Sequence, residues 1–240
     1  PFSLAISGTH GKTTTTSMVS MIMLESNLDP TIHIGGELDA IGGNTRIGGK
    51  KYFVTEACEY VESFLKFYPY LAIVLNIEAD HLDYFKDIDH IKQAFQKFMN
   101  LVPEDGYIIA CADDQNVSSL LSEVSCNIVT YGISNVNANW TARNIEFDNS
   151  GCASYDLIKN GEKLAVIKLK VPGIHNVSNS IAAAAACYTF GCDINNITTG
   201  LEAFTGTHRR FEIKGIVDSI KVVDDYAHHP TEIKATLQAA

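Results

Sequence analysis

The segment Gly8-Thr9-His10-Gly11-Lys12-Thr13-Thr14 places a lysine and a hydroxyl directly after two closely spaced glycines. A strict G-x-x-x-x-G-K-[ST] phosphate loop would need glycine where Ile6 stands, so context must decide its role. A glycine loop that enters a helix turns backbone N–H groups and the positive helix end toward an anion. Lys12 would then reach the outer phosphates, and Thr13 would offer its hydroxyl to Mg2+. Two further polar groups follow apolar runs: Glu56 ends "KYFVTE", and Asn76 to His81 follow "LAIVLNI". A carboxylate at a neighbouring strand end is a natural oxygen ligand for Mg2+. His81 suits a second, softer metal position or contact with a transferring phosphoryl group. Plainer readings stand beside these: Glu56 as a solvated strand end, His81 as a hydrogen-bonded loop histidine, and Asp80 and Asp83 as caps of the following segment.

These residues converge only if the surrounding elements form an open parallel sheet, where ligands bind beyond the carboxyl ends of the strands. The short apolar runs "FSLAIS", "KYFVTEA", "LAIVLNI", "YIIACA" and "NIVTYG" suit strands buried on both faces. Between them, "KTTTTSMVSMIMLES" carries Met18, Met21, Ile22 and Leu24 at helical spacing, and "DIDHIKQAFQKFMNLV" puts Ile88, Ile91, Phe95, Phe98 and Met99 on one face. "DQNVSSLLSEV" reads as another helix. The alternation predicts an α/β fold with an open, mostly parallel sheet. After Gly132 the pattern alternates apolar and polar residues around Asn160-Gly161, a strong hairpin signal, which predicts a small antiparallel β patch interrupting the α/β order. An alanine-rich helix then closes at Gly191. A strand-like "IKVVDDYA" and a helix start end the chain, and such a pair cannot bury a core alone. A second domain is therefore expected over 207–240, truncated, after a first over 1–206. Without an initiator methionine, the chain reads as a piece of something longer.

The 240 residues are 46% hydrophobic and 19% charged, which suits a globular protein. A formal net charge of -10 argues against nonspecific nucleic-acid binding and leaves a small-molecule partner. No apolar run approaches the roughly 18 residues of a membrane helix. The six cysteines form no C-x-x-C pair and are expected to be reduced thiols of a cytoplasmic protein.

In order along the chain, "GTHGKTTT", "NIEADHLDYF", "PGIHNVSNSIAA", "HRRFE" and "DDYAHHPTE" resemble the Mur ligases of bacterial cell-wall synthesis. Their glycine loop is G-T-x-G-K-[ST], which assigns Ile6 to the strand. The resemblance implies an ATPase-like central domain, the start of a Rossmann-like C-terminal ligase domain, and an N-terminal UDP-sugar domain absent from this chain. It implies ATP and Mg2+ as cofactors, and UDP-N-acetylmuramate and L-alanine as partners held largely on the missing domains. By the same resemblance, Lys12 would contact the β and γ phosphates within a loop of Gly8, Thr9, His10, Gly11, Thr13 and Thr14. Thr13 and Glu56 would ligate Mg2+, and His81 would serve a second metal. His175, Asn176 and Asn179 would lie by the adenine, Arg210 would reach the γ phosphate, and Asp225 would contact the ribose. Asp224, His228 and His229 are weaker candidates near the substrates, and Arg209 reads as a solvated neighbour.

Asn176 and Asn179, at i and i+3, share a helical face, although an Asn pair opening a helix also serves as a cap. Two departures from the family pattern are visible. Several relatives bridge two metals with a carbamylated lysine, for which Lys92 and Lys97 stand in the right region without a sign that either is so placed. Cys58 and Tyr60 occupy a stretch that is richer in aspartate in alanine-adding relatives. The implied reaction passes through an acyl phosphate that an amine attacks. A peptide-recycling ligase, a folylpolyglutamate synthase and a non-catalytic nucleotide-binding module are the alternatives. This chain alone is expected to bind Mg-ATP weakly without completing ligation.

Overall fold

A computed structural model describes residues 2–240. Ten elements form the α/β half: β1 (Phe2–Ser7), α1 (Lys12–Glu25), β2 (Thr31–Leu38), β3 (Gly43–Arg46), β4 (Tyr52–Glu56), β5 (Leu71–Val74), α2 (Ile88–Met99), β6 (Tyr107–Cys111), α3 (Gln115–Leu120) and β7 (Asn127–Tyr131). They are followed by β8 (Trp140–Phe147), β9 (Cys152–Lys159), β10 (Glu162–Pro172), α4 (Ile174–Thr189), α5 (Ile194–Ala203), β11 (Glu212–Val217), β12 (Ile220–Asp224) and α6 (Pro230–Ala239).

Strands β1 to β10 make one sheet in the order β10-β9-β8-β7-β6-β5-β1-β4-β2-β3, and β11 pairs with β12 alone. The six central strands from β7 to β2 run parallel. Their side chains alternate between two cores. Leu4, Ile6, Leu71, Ile73 and Ile109 face α1, α4 and α5, whereas Ala5, Ala72, Val74, Ile108 and Ala110 face α2 and α3. Both faces are therefore dry, which is why the strands read as unbroken apolar runs. β1 sits between β4 and β5, and the chain builds outward on both sides of it. The crevice beyond the carboxyl end of β1 is the switch point where such sheets bind ligands.

Two features differ from the sequence expectation, whereas the antiparallel patch interrupts the α/β order as expected and extends the same sheet: β8 joins β7 through the single pair Tyr131 and Trp140, and β9 and β10 fold back in turn. The hairpin turns at Asn160 and Gly161, both with positive φ, as predicted. Helix α1 does not have one apolar face. It is buried nearly all round between the sheet and helices α4 and α5. Its threonine and serine tract tolerates this because Thr16, Ser17 and Ser20 donate to the carbonyls of Lys12, Thr13 and Thr16. The close approach of α5 is set by Gly200, where a Cβ would lie 2.6 Å from the Ile22 Cα. Finally, "FEIKG" is itself a strand, β11, so the C-terminal stretch begins as a hairpin.

Candidate nucleotide site

β1 delivers its loop into the crevice, and Gly8 and Gly11 adopt φ of +143° and +84°, a region that favours glycine. Space also excludes a side chain at both positions. A Cβ on Gly8 would lie 2.8 Å from the Leu75 Cβ, and one on Gly11 would lie 2.8 Å from Asn179 Oδ1. The loop is stapled to the strand next door. His10 N donates to Asn76 Oδ1 at 2.8 Å, Asn76 Nδ2 donates to the His10 carbonyl at 3.1 Å, and Thr9 N donates to the Asn76 carbonyl at 3.1 Å. Helix α1 starts at Gly11 with no side-chain cap, so its first-turn N–H groups are free to meet an anion.

Lys12 folds back within this loop. Its Nζ donates to Glu59 at 2.9 and 3.2 Å and to the Thr9 carbonyl at 3.2 Å. The Glu59 side chain is only 3% exposed, so the pair is a buried one, and removing either member would strand a charge. Thr13 stands beside it as a junction. Its hydroxyl donates to Glu56 Oε2 at 3.2 Å and accepts from Arg210 Nη2 at 3.4 Å, while Glu56 Oε1 accepts from Gly35 N at 2.6 Å. A hydroxyl paired with a carboxylate is a hard oxygen donor set of the kind Mg2+ prefers. The uncapped N–H groups opening α1 suit a polyphosphate, so the residues present fit both groups.

His81, with φ of +52°, lies against the Tyr60 ring at 4.6 Å, and its Nε2 is 4.0 Å from Glu59 Oε1 and 4.0 Å from Asp80 Oδ2. The structure thus groups His81 with Glu59 and Lys12. The capping reading of Asp80 and Asp83 is corrected: Asp87 caps α2 by accepting from His90 N, whereas Asp83 accepts from the Tyr60 hydroxyl and Asp80 from His81 N. Lys97 pairs with Glu62 on the surface at 3.1 Å.

On the other side of the loop a cleft of about 760 Å³ opens, lined by Gly11, Thr14, His175, Asn176, Asn179, Arg210 and Asp225 among others. Lys12, Glu56 and His81 stand behind the loop rather than in this lining. The asparagine pair does not cap α4, whose N-cap is Gly173. Instead Asn176 donates to the Pro172 carbonyl at 2.7 Å, and Asn179 donates to Asn176 Oδ1 at 3.2 Å. Burial lowers the pKa of His175, outweighing the raising effect of the Asp225 charge, so the ring is neutral near neutral pH. Asp225 holds the segment in shape by accepting from Phe211 N at 2.8 Å and Ala227 N at 2.7 Å. Arg209 lies over Tyr226 and 3.9 Å from Asp224, away from Thr13.

The parts played by three participants were not legible in the sequence, although Asn76 itself opens the polar group named after "LAIVLNI". Glu59 is recognisable only by its pairing with Lys12. Asn76, the staple of the loop, had a visible signal as the first polar residue after a buried run. The third is a link from His10 to the C-terminal stretch: Nδ1 is 3.2 Å from Glu232 Oε1, and Nε2 is 3.4 Å from Glu78 Oε2. Burial disfavours both charges, yet the pairing prevails, raising the His10 pKa and holding Glu232 down at about 2. All six cysteines are unpaired thiols, and no helix among the described residues is long and apolar enough to cross a membrane.

Comparison with known proteins places this arrangement. Residues 6–187 match the Mur ligase middle domain, and residues 209–240 match the Mur ligase glutamate ligase domain. The chain is 71% identical over its whole length to the UDP-N-acetylmuramate–L-alanine ligase of Acetivibrio thermocellus, covering 51% of that protein. It is 57% identical to the ligase of the same name from Clostridium tetani, covering 52% of it. The solved UDP-N-acetylmuramate-alanine ligase of Thermotoga maritima superimposes with a TM-score of 0.86 at 34% identity, over 99% of this chain and 53% of that one. A murein peptide ligase from Psychrobacter arcticus follows at 0.80 and 31%, over 99% and 54%. The chain spans about half the length of the curated relatives it matches. With the Mur ligase middle-domain model matched over residues 6–187 and 71% identity along the whole length, the chain belongs to the Mur ligase family.

Proposed function

We infer that this chain is the nucleotide-binding part of an ATP-dependent amide ligase that joins L-alanine to the carboxylate of UDP-N-acetylmuramate through an acyl phosphate, in the cytoplasmic supply of peptidoglycan precursors. One observation carries the reading: the Thr13 hydroxyl is touched at once by Glu56 of the central sheet and by Arg210 of the C-terminal stretch, at 3.2 and 3.4 Å. Two separate parts of the chain thereby meet at the residue that a Mg-polyphosphate would occupy. The identity to alanine ligases supports the choice of sugar and amino acid. A boundary near Thr207 between the two parts is part of the same proposal.

The difficulty of the reaction is electrostatic, since a carboxylate must approach a polyphosphate of like charge. Mg2+, held by Thr13 and Glu56, would supply positive charge that offsets this repulsion. Lys12 leaves Glu59 to neutralise the outer phosphates, and the N–H groups opening α1 hold the anion in place. Arg210 adds its charge where negative charge builds on the transferring group. Asn176 and Asn179 would orient the base in the cleft, the neutral ring of His175 would lie beside it, and Asp225 would accept from the ribose. His81, beside Glu59, is placed for a second cation. Held in line, two reactants can shed about 7–11 kcal/mol of barrier.

The test is phosphate release by the full-length protein with ATP, Mg2+ and UDP-N-acetylmuramate, comparing L-alanine with glycine, L-serine and a tripeptide. Release that requires the sugar and L-alanine and is lost in Lys12→Ala is expected. Preference for the tripeptide would reassign the protein to peptide recycling, and nucleotide binding without acceptor-dependent release would make it a regulatory module.

A further inference from the structure

Beside the loop, but on side chains the reaction above does not use, three metal-ligating groups from three parts of the chain converge. They are His10 after β1, Glu78 after β5 and His229 at the start of α6. Their ligand atoms all lie within 4.8 Å of one another. Glu78 Oε2 is 3.4 Å from His10 Nε2 and 3.8 Å from His229 Nδ1. Metal–ligand bonds of about 2.0–2.2 Å at tetrahedral angles set neighbouring donors about 3.3–3.6 Å apart, so the two distances to Glu78 need little adjustment.

The groups around the cluster are those that such a site requires. Metal-bound imidazole is oriented by a carboxylate or carbonyl on its other nitrogen. His10 offers Nε2 inward while Nδ1 faces Glu232 Oε1 at 3.2 Å, and His229 offers Nδ1 inward while Nε2 faces the Ala79 carbonyl at 3.3 Å. The Thr231 hydroxyl donates to Glu78 Oε2 at 2.7 Å and fixes that carboxylate. The Thr231 amide, 3.3 Å from His229 Nδ1, is the contact that would be given up. All three ligand side chains are partly buried, and His10 and Glu78 line the cleft, which leaves a fourth position open to water or to a bound molecule.

We propose that His10, Glu78 and His229 form a site for a divalent transition metal of the Zn2+ type, which clamps the C-terminal stretch onto the loop after β1. Two imidazoles and one carboxylate select Zn2+, Co2+ or Ni2+ over Mg2+, whose preference for oxygen keeps it with Thr13 and Glu56. The site rests on these side chains alone and stands or falls apart from the ligase reading. Its function is mechanical: bridging two parts of the chain, it holds them in the arrangement in which Arg210 touches Thr13.

The experiment is a Zn2+ titration of this chain against a chromophoric chelator in excess Mg2+, repeated with Co2+ to read the ligands from the visible spectrum. One equivalent is expected, with a Co2+ spectrum of nitrogen and oxygen ligation free of thiolate charge-transfer bands. E232Q, which removes the group orienting His10, should weaken binding about 10- to 100-fold. H10N and H229N should weaken it further, and H33N should leave it unchanged. Should H10N fail to fold, E78Q and E232Q carry the same test. Affinity unchanged in H229N and E232Q, or thiolate bands in the wild-type Co2+ spectrum, would overturn the site.

Discussion

The two parts of the chain that meet at Thr13 are held by different forces. Around β1, α1 and α4 the interior is dry, and the loop leaves a strand whose Leu4 and Ile6 are wholly buried. In the C-terminal stretch, α6 has no buried residue, and Ile213, Ile216, Val217 and Ile220 are exposed. What joins this stretch to the sheet domain is polar: Thr207 to Ser17 at 3.2 Å, His208 N to the Glu37 carbonyl at 3.1 Å, Thr231 to Glu78 at 2.7 Å, and Arg210 to Thr13. Each such bond contributes about 0.5–1.5 kcal/mol net, far less than a buried aromatic ring. The contrast teaches a division of labour. The glycine loop is built into a buried frame, whereas Arg210 is carried on a stretch joined to that frame by few polar contacts, which under the proposed function suits a part that closes over the nucleotide.

The largest effect should come from breaking the contact between the two parts. Arg210→Ala in the full-length protein is expected to lower turnover about 10³-fold or more, the scale on which an arginine supports phosphoryl transfer. It should leave the melting temperature of this chain nearly unchanged, because a single 3.4 Å bond to the Thr13 hydroxyl contributes little net stability. Turnover within a few-fold of wild type would remove Arg210 from the site, and a marked loss of stability would make it a structural residue.

Comparable in energy but opposite in kind is a substitution within the frame. Phe98 is fully buried and stacked on Phe64 with ring centroids 4.7 Å apart. Phe98→Ala should cost about 3–5 kcal/mol in denaturant unfolding. Ile216 on β11 is 67% exposed, and Ile216→Ala in this chain should fall within about 0.5 kcal/mol. Equal effects at the two positions would abolish the distinction between frame and attachment.

Much of the frame was legible because its physics is local. Leu71–Val74 must be buried on both faces, so it reads as an apolar run, and the Gly8 to Thr13 loop follows from strand, glycine and helix in order. β2 was not read, because Gly35 and Gly36 break an alternation that begins at Ile32 and Ile34. Helix α5 was missed for a similar reason: "INNITTGLEA" is rich in weak helix formers, and it is helical because Ile197, Gly200 and Leu201 pack under α1. In the site, single residues with motif spacing could be named, whereas Glu59 and Glu232 act through partners brought close only by the fold, Lys12 and His10. In the C-terminal stretch "IKVVDDYA" and the helix after it are legible as β12 and α6, whereas β11 is not, because Ile213, Ile216 and Val217 are exposed and leave no burial pattern to read.

The smallest effect sharpens the comparison most, because it reads both parts at once. Burial in the cleft depresses the His175 pKa below its usual value of about 6.5, and Asp225 from the C-terminal stretch opposes that depression. Between the folded value and about 6.5 the unfolded chain binds a proton that the folded chain does not, so stability falls as pH is lowered through this window and is unaffected above it. His175→Asn should therefore reduce the loss of unfolding free energy between about pH 7.5 and the acid end of that window. Asp225→Asn should do the reverse, because removing the opposing charge lowers the folded pKa further and deepens the loss. Histidine NMR titration of the wild type and of Asp225→Asn measures the shift directly. If Asp225→Asn leaves the His175 titration unmoved, the C-terminal stretch spends its time in solution away from α4, and the contact between Arg210 and Thr13 belongs to a closed form that substrate must bring about.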